Sequence, residues 1–207
     1  MIMLDIDDTL IDYTNAEKTA SIEFGKRFSS EIPDYDSSSF PDIWHLYMEK
    51  YYQKFLSGEI SYFDQRRNRI REIFKNPKIN DKQADEIYSV YKQLYKDNWK
   101  LFDDVIPFLE KYKDNGYVAI TDGQEEQQKE KLVKTGIMKY FKNIIAAETV
   151  MSSKPNLRIF QAALDSEKLK AEQCIYIGDN LEKDAMGSKN AGMIGIWLKY
   201  KTKGNNS

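Results

Sequence analysis

Carboxylates at Asp5, Asp7 and Asp8 close a short apolar run, MIMLDIDDTL, and Thr9 adds a hydroxyl beside them. Two like charges about 4 Å apart repel by roughly 4 kcal/mol at an effective dielectric of about 20. A cation has to offset that, and a hard divalent metal with oxygen ligands is the usual solution. The same residues also read as an acidic turn capping the next helix, with Asp8 or Thr9 as N-cap. Three further stretches carry reactive groups. Thr121-Asp122-Gly123 offers a hydroxyl and a glycine-permitted turn whose backbone N–H groups suit an anion. Lys154-Pro155 places a compact ammonium ahead of a helix starting near Asn156, a good position for phosphate. Gly178-Asp179-Asn180, with Asp184 five residues after Asp179, adds two more acids. Taken singly, each is an ordinary turn or cap. All of them fall at the carboxyl ends of predicted strands, and together they are hard to read as caps alone.

The elements that must position these groups follow from the pattern of apolar residues. Met1 to Leu4 has no polar alternation, which suits a strand buried on both faces. After Tyr13 the texture is helical. Helices are predicted from Asn15 to Phe28, through Trp44, Met48, Tyr51 and Phe55, from Ser61 to Phe74 with Phe63, Ile70 and Phe74 inward, and from an N-cap at Asp81. The last of these carries an inward stripe of Ile87, Val90, Tyr91 and Leu94. A polar loop from Ser29 to Pro41 separates the first two. Beyond residue 98, strands YVAIT (117–121), Ile144 to Ala147, CIYIG (174–178) and MIGIWL (193–198) alternate with helices at 103–112, 125–134, 156–164 and 183–190. That alternation argues an α/β fold, a parallel sheet with helices on both faces. The expected division is a core of 1–12 and 99–207, with 13–98 as an inserted all-helical cap over the carboxyl ends of the strands, where ligands of such sheets bind. The tail KTKGNNS is expected to fray.

Composition narrows the class. Of 207 residues 41% are hydrophobic and 31% charged, as in a folded globular protein. Lys plus Arg number 31 against 33 acids, so the net charge of −2 leaves no basic footprint for nucleic acid. No apolar run reaches the ~20 residues of a membrane span, and no signal peptide precedes the acidic strand end. Cys174 has no second cysteine to pair with and reads as strand packing, which makes a reducing cytoplasm the default.

With these residues assembled, the chain resembles the haloacid dehalogenase-like (HAD) superfamily. DIDDTL, Thr121, Lys154-Pro155 and GDNLEKD match its four motifs, and the likeness extends through LFDDVIPFLEKYKDNGYVAITDG and YIGDNLEKDAMGSKNAGM. The stretch FLSGEISYFDQRRNRI looks like the capped nucleotidase-like branch, which includes pyrimidine 5′-nucleotidases. The resemblance implies a Rossmann-like core and a Mg²⁺-dependent phosphatase acting on a small phosphomonoester. Asp5 would be the nucleophile and Asp7 the acid–base group. Asp5, Asp179 and the carbonyl of Asp7 would hold Mg²⁺, with Asp184 supporting them. Thr121, Asp122, Gly123 and Lys154 would bind phosphate. A sugar phosphomutase or a non-catalytic binding module on the same fold are the alternatives; an acid at Asp7 disfavours dehalogenation. Three positions depart from the family pattern: Asp8 and Met151 stand where glycine is common, and Asp122 replaces a frequent asparagine. An inward Asp122 side chain would repel phosphate. The chain also stops soon after Trp197, where relatives often add a helix.

Other conspicuous residues read as structural. His45 is expected to serve packing, and Arg66, Arg67, Arg69 and Arg71 a solvated face. Nine of the fourteen tyrosines (13, 35, 47, 51, 52, 62, 88, 91 and 95) fall in the insert. Most should pack between helices, with one or two left to stack on a flat leaving group such as a nucleoside.

Overall fold

Five short strands carry the sheet: β1 (Ile2–Leu4), β2 (Tyr117–Thr121), β3 (Phe141–Ala146), β4 (Ile175–Gly178) and β5 (Ile194–Trp197). The computed structural model of the chain describes residues 1–200, so the tail KTKGNNS lies outside the described residues. The strand order is β3-β2-β1-β4-β5 and every pairing is parallel. The chain steps outward from β1 to β2 and β3, then returns to the other side of β1 for β4 and β5. The crevice between β1 and β4 is therefore the topological switch point, at whose carboxyl edge ligands bind in open α/β sheets.

The chain divides into two compact units, Met1–Tyr13 with Trp99 onward, and Thr14–Asn98. In the first, α5 (Val105–Lys111), α6 (Glu125–Lys134), α7 (Ala147–Val150), α8 (Leu157–Glu167) and α9 (Gly187–Asn190) connect or follow the strands. Met3, Val118, Ile120 and Tyr176 turn to one face of the sheet, where Ile159, Phe160, Ala163 and Leu164 of α8 cover them. Cys174 is buried in the same cluster. On the opposite face the Tyr117 hydroxyl donates to Leu109 O of α5 at 3.0 Å. Apolar cover on both faces is what a parallel sheet requires, and it explains the unbroken apolar strands.

The second unit holds α1, which begins at Tyr13 and runs to Arg27, α2 (Phe40–Leu56), α3 (Tyr62–Ile73) and α4 (Asp81–Asp97). Its core is aromatic. Phe24 is fully buried, with Phe28 and Trp44 ring centroids 4.8 and 4.9 Å away, and Trp44 lies 4.1 Å from Tyr91. His45 accompanies the buried Glu17 at 3.1 Å. Several expectations fail here. Pro41 belongs to the first turn of α2, not to the loop, because a proline there gives up no helical hydrogen bond. Asn80, not Asp81, caps α4, in a reciprocal pair with Gln83. Of the α4 stripe only Tyr91 is buried; Ala84 and Tyr95 complete that face, and Ile87, Val90 and Leu94 stay partly exposed. Phe63 is exposed, since it sits in the first turn ahead of Gln65, where burial of α3 begins. Arg69 is buried instead of solvated, bonded to Gln65 Oε1 at 2.9 Å and lying 5.5 Å from the Trp44 ring centroid.

Candidate active site

β1 ends one residue before Asp5, whose N–H still donates to Ile177 O at 2.9 Å. That bond fixes Asp5 at the middle of the sheet's carboxyl edge, 5% exposed. Its Oδ1 accepts from Lys154 Nζ at 2.6 Å and its Oδ2 from Thr9 Oγ1 at 3.1 Å. The chain then turns sharply. Asp8 takes a φ of +57°, a conformation aspartate tolerates better than most residues, and the N–H groups of Leu10 and Ile11 both return to Ile6 O. α1 begins only at Tyr13, so neither Asp8 nor Thr9 stands at its N-cap position, which overturns the capping reading. The Thr9 hydroxyl instead joins two loops, because it also accepts from Asp179 N at 3.0 Å.

Lys154 Nζ lies among three acceptors: Asp5 Oδ1 at 2.6 Å, Asp184 Oδ1 at 2.7 Å and Tyr176 Oη at 3.1 Å. Burial alone would lower its pKa, but Asp5, Tyr176 and Asp184 outweigh burial and hold it well above the usual lysine range. Burial pushes Asp5 up to about 7, with Lys154 pulling down and Asp184 pushing further up. Asp179 rises to about 6, again through burial first and then through the charges of Asp184 and Asp8. Tyr176 donates to Ile120 O at 3.0 Å, which anchors this network to β2.

Asp5, Asp179 and Asp184 each present an oxygen within 4.8 Å of the others. Three carboxylates around one ammonium leave two negative charges unmatched when all are ionised, the deficit a divalent cation fills. The donors are hard oxygens with no Cys or His among them, which suits Mg²⁺ over Zn²⁺. Both oxygens of Asp184 are already engaged, Oδ1 by Lys154 and Oδ2 by Asn180 N at 2.9 Å. Its close approach depends on Gly178, since a Cβ there would lie 2.4 Å from the Asp184 carboxyl carbon.

At the end of β2, Thr121 Oγ1 accepts from Gly123 N at 3.0 Å. Asp122 turns sideways: its Oδ1 accepts from the backbone N–H of Lys154 at 2.9 Å, and Lys183 Nζ lies 3.4 Å from its Oδ2. Its carboxylate therefore staples two loops together. Met151 has a φ of +50°, a conformation glycine adopts more readily, and its side chain points into solvent. Asp7 turns toward α6, where Lys131 Nζ donates to Oδ1 at 2.5 Å and Gln128 Nε2 to Oδ2 at 2.7 Å. Trp197, on the edge strand, donates from its indole to Asp179 O at 2.8 Å.

Lys154, Asp179 and Asp184 thus gather with Asp5, Asp122 reaches the backbone of Lys154, and Asp7 is bonded to α6. Three contributors were not singled out from the sequence: Tyr176, Gln128 and Lys131, while Thr9 was read as a possible cap and not as the link between Asp5 and Asp179. Tyr176 lay within the expected strand CIYIG with no role of its own, although its two-residue spacing from Gly178 puts both on one face. Gln128 and Lys131 carry an i, i+3 signal on the helix that follows Thr121, which was available but unremarkable among so many charged residues.

A doubly wound parallel sheet with charged groups gathered at its switch point defines an α/β protein whose ligand position is at the strand ends. The chain belongs to the haloacid dehalogenase-like hydrolase family, whose model matches residues 1–192. It is 35% identical over 102 residues to the glyceraldehyde 3-phosphate phosphatase of Methanopyrus kandleri, a match covering 48% of this chain and 44% of that enzyme. The matched stretch takes in less than half of that relative's length. Similarity to the N-acylneuraminate-9-phosphatase of Mus musculus is lower, 27% over 208 residues, but spans 95% of this chain and 81% of the relative. Among solved structures, a HAD-hydrolase, YfnB, from Bacillus subtilis superposes with a TM-score of 0.73 at 20% identity, covering 95% of this chain and 87% of that one. That likeness concerns the fold.

Proposed function

We propose that the protein is a Mg²⁺-dependent phosphatase that hydrolyses a small phosphomonoester through an aspartyl-phosphate on Asp5. The observation that carries this reading is the buried Asp5 with Lys154 Nζ at 2.6 Å, Asp179 and Asp184 alongside, and a second acid, Asp7, two residues on. The phosphate group lies against Thr121, the turn at Asp122-Gly123 and Lys154. An Asp5 oxygen attacks phosphorus while the bond to the leaving oxygen breaks, and Asp7 supplies that oxygen with a proton. Water then attacks phosphorus, Asp7 takes its proton, and Asp5 is released as carboxylate. Acid–base help of this kind is worth ~10²–10⁴-fold. Asp5, Asp179 and the carbonyl of Asp7 would hold Mg²⁺, which would supply positive charge to offset that of the phosphoryl group. Asp184 orients Lys154.

The sheet unit is the catalytic domain of this reading, and the helical unit its cap domain. The relatives act, by their names, on phosphorylated compounds that are not nucleotides. Many of the aromatic side chains in the helical unit are also engaged with one another, Tyr91 with Trp44, Tyr88 and Tyr95 among them. Both points favour a phosphorylated sugar or triose over the nucleoside monophosphate of a 5′-nucleotidase. Free, buried Cys174 supports a cytoplasmic setting. Among the described residues no helix is long and apolar enough to cross a membrane. Phosphate release across a panel of sugar phosphates, triose phosphates and nucleoside monophosphates tests the reading. Release is expected with Mg²⁺ and none in EDTA, with kcat/KM highest for non-nucleotide esters. An isomerised sugar phosphate without release would make the protein a mutase, and inertness on every ester a binding module.

A further inference from the structure

Lys131 is 1% exposed and Gln128 fully buried, yet neither serves an apolar core. They lie three residues apart on one face of α6 and both point at the same carboxylate. Gln128 Nε2 donates to Asp7 Oδ2 and Lys131 Nζ to Asp7 Oδ1, so each oxygen has a donor of its own. Two anchored oxygens set the plane of the carboxylate as well as its position. Burying an ammonium is unfavourable unless a partner offsets it, and a leucine or methionine would fill the same space without that cost. The turn after Thr121 is shaped around this contact. A Cβ at Gly123 would lie 2.0 Å from Gln128 Nε2, so only glycine leaves the amide room to reach Asp7.

We propose that Lys131 and Gln128 are positioning residues that hold the Asp7 carboxylate for its acid–base steps, with Gly123 as the gap that admits the Gln128 amide. The inference rests on the phosphatase reading above. Its consequence depends on the leaving group. When the bond from phosphorus to an alkyl oxygen breaks, the departing oxygen needs the proton of Asp7. A 4-nitrophenolate departs as a stable anion and needs none. In the second step water bonds to phosphorus, its proton passes to Asp7, and the Asp5–phosphorus bond breaks. By then Asp7 has lost its own proton, to the leaving oxygen of an alkyl ester or to solvent with 4-nitrophenyl phosphate. Loosening Asp7 therefore slows both steps for an alkyl ester, but only the second for 4-nitrophenyl phosphate.

The test uses the full chain with Mg²⁺, in Lys131→Met and Gln128→Leu variants, on an alkyl phosphomonoester that the wild type hydrolyses and on 4-nitrophenyl phosphate. On the alkyl ester kcat should fall by ~10–100-fold, part of the full acid–base contribution, with KM within about twofold. On 4-nitrophenyl phosphate both variants should release a rapid burst of about one nitrophenolate per enzyme, followed by slow turnover. A merely structural role would lower both esters alike with no burst, and that result overturns the proposal. So does an unchanged kcat, or a raised KM at unchanged kcat, which would assign the pair to phosphate binding. If Lys131→Met does not fold, Gln128→Leu carries the same comparison. Gly123→Ala and Gln128→Ala should also be non-additive, since removing the amide relieves the clash; simple additivity counts against the proposal. A wild type inert on every ester defeats the phosphatase reading itself, whereas an active wild type with unaffected variants defeats only the inference.

Discussion

In the helical unit Arg67 meets Asp81 at 2.9 Å and Asp85 at 2.6 Å, with side chains 21%, 58% and 45% exposed. In the sheet unit Lys154 meets Asp5 and Asp184 at 2.6 and 2.7 Å, with side chains 4%, 7% and 1% exposed. The distances hardly differ, but the energetics do. Water screens the first cluster and competes for every donor and acceptor, so it contributes little to stability. The second has been taken out of water, where a missing partner is expensive and the field on a bound anion or cation is strong. Packing alone would fill such a position with apolar side chains, as it does around Phe24. The buried charges are thus better read as machinery than as support, and the exposed ones as support of a weak kind.

Four substitutions break or sharpen that contrast. Asp5→Asn keeps the shape of the side chain and removes the attacking charge. Phosphate release should fall by more than ~10³-fold while circular dichroism stays native; substantial residual turnover would mean that Asp5 is not the nucleophile. Lys154→Met strands Asp5 and Asp184 beside each other without their ammonium. Stability should drop by about 3–5 kcal/mol in urea unfolding, together with activity. An unchanged midpoint would show that the cluster is less dry than its burial indicates. Ile70→Val trims one methylene from a fully buried position on α3 and should cost about 1 kcal/mol. Its kcat should match the wild type, so a catalytic defect there would erase the division between support and machinery. Arg67→Met comes last, with a melting temperature nearly unchanged at moderate salt; a large drop would place the exposed cluster on the same footing as the buried one.

Much of the site was legible because its signals are local. Asp5 and Asp7 stand two apart at a strand end, Thr121-Asp122-Gly123 follows an apolar run, and Asp179 and Asp184 bracket a helix start. Each is a short pattern of residue types tied to a predicted element, and parallel pairing brings strand ends to one edge whatever the details. The helix boundaries of α6 were readable for the same reason, with Glu125 opening it and Gly136 past its end.

The roles of individual charged side chains were not readable in this way. Arg69 and Arg67 are two residues apart in a run of arginines, yet one is buried on Gln65 and near Trp44 while the other faces Asp81 and Asp85. Lys131 is one of six charged residues between Glu125 and Lys134, and its contact with Asp7, 124 positions away in sequence, sets it apart. Asp122 could have faced the strand-end site or the neighbouring loop, and its bond to Lys154 N decided for the loop. Strand ends and helix periods are set by interactions within a few residues, so the sequence alone determined the fold and where its reactive acids gather. Which charge is buried, and against which partner, depends on groups that meet only when distant segments pack, and the tertiary structure alone decided it.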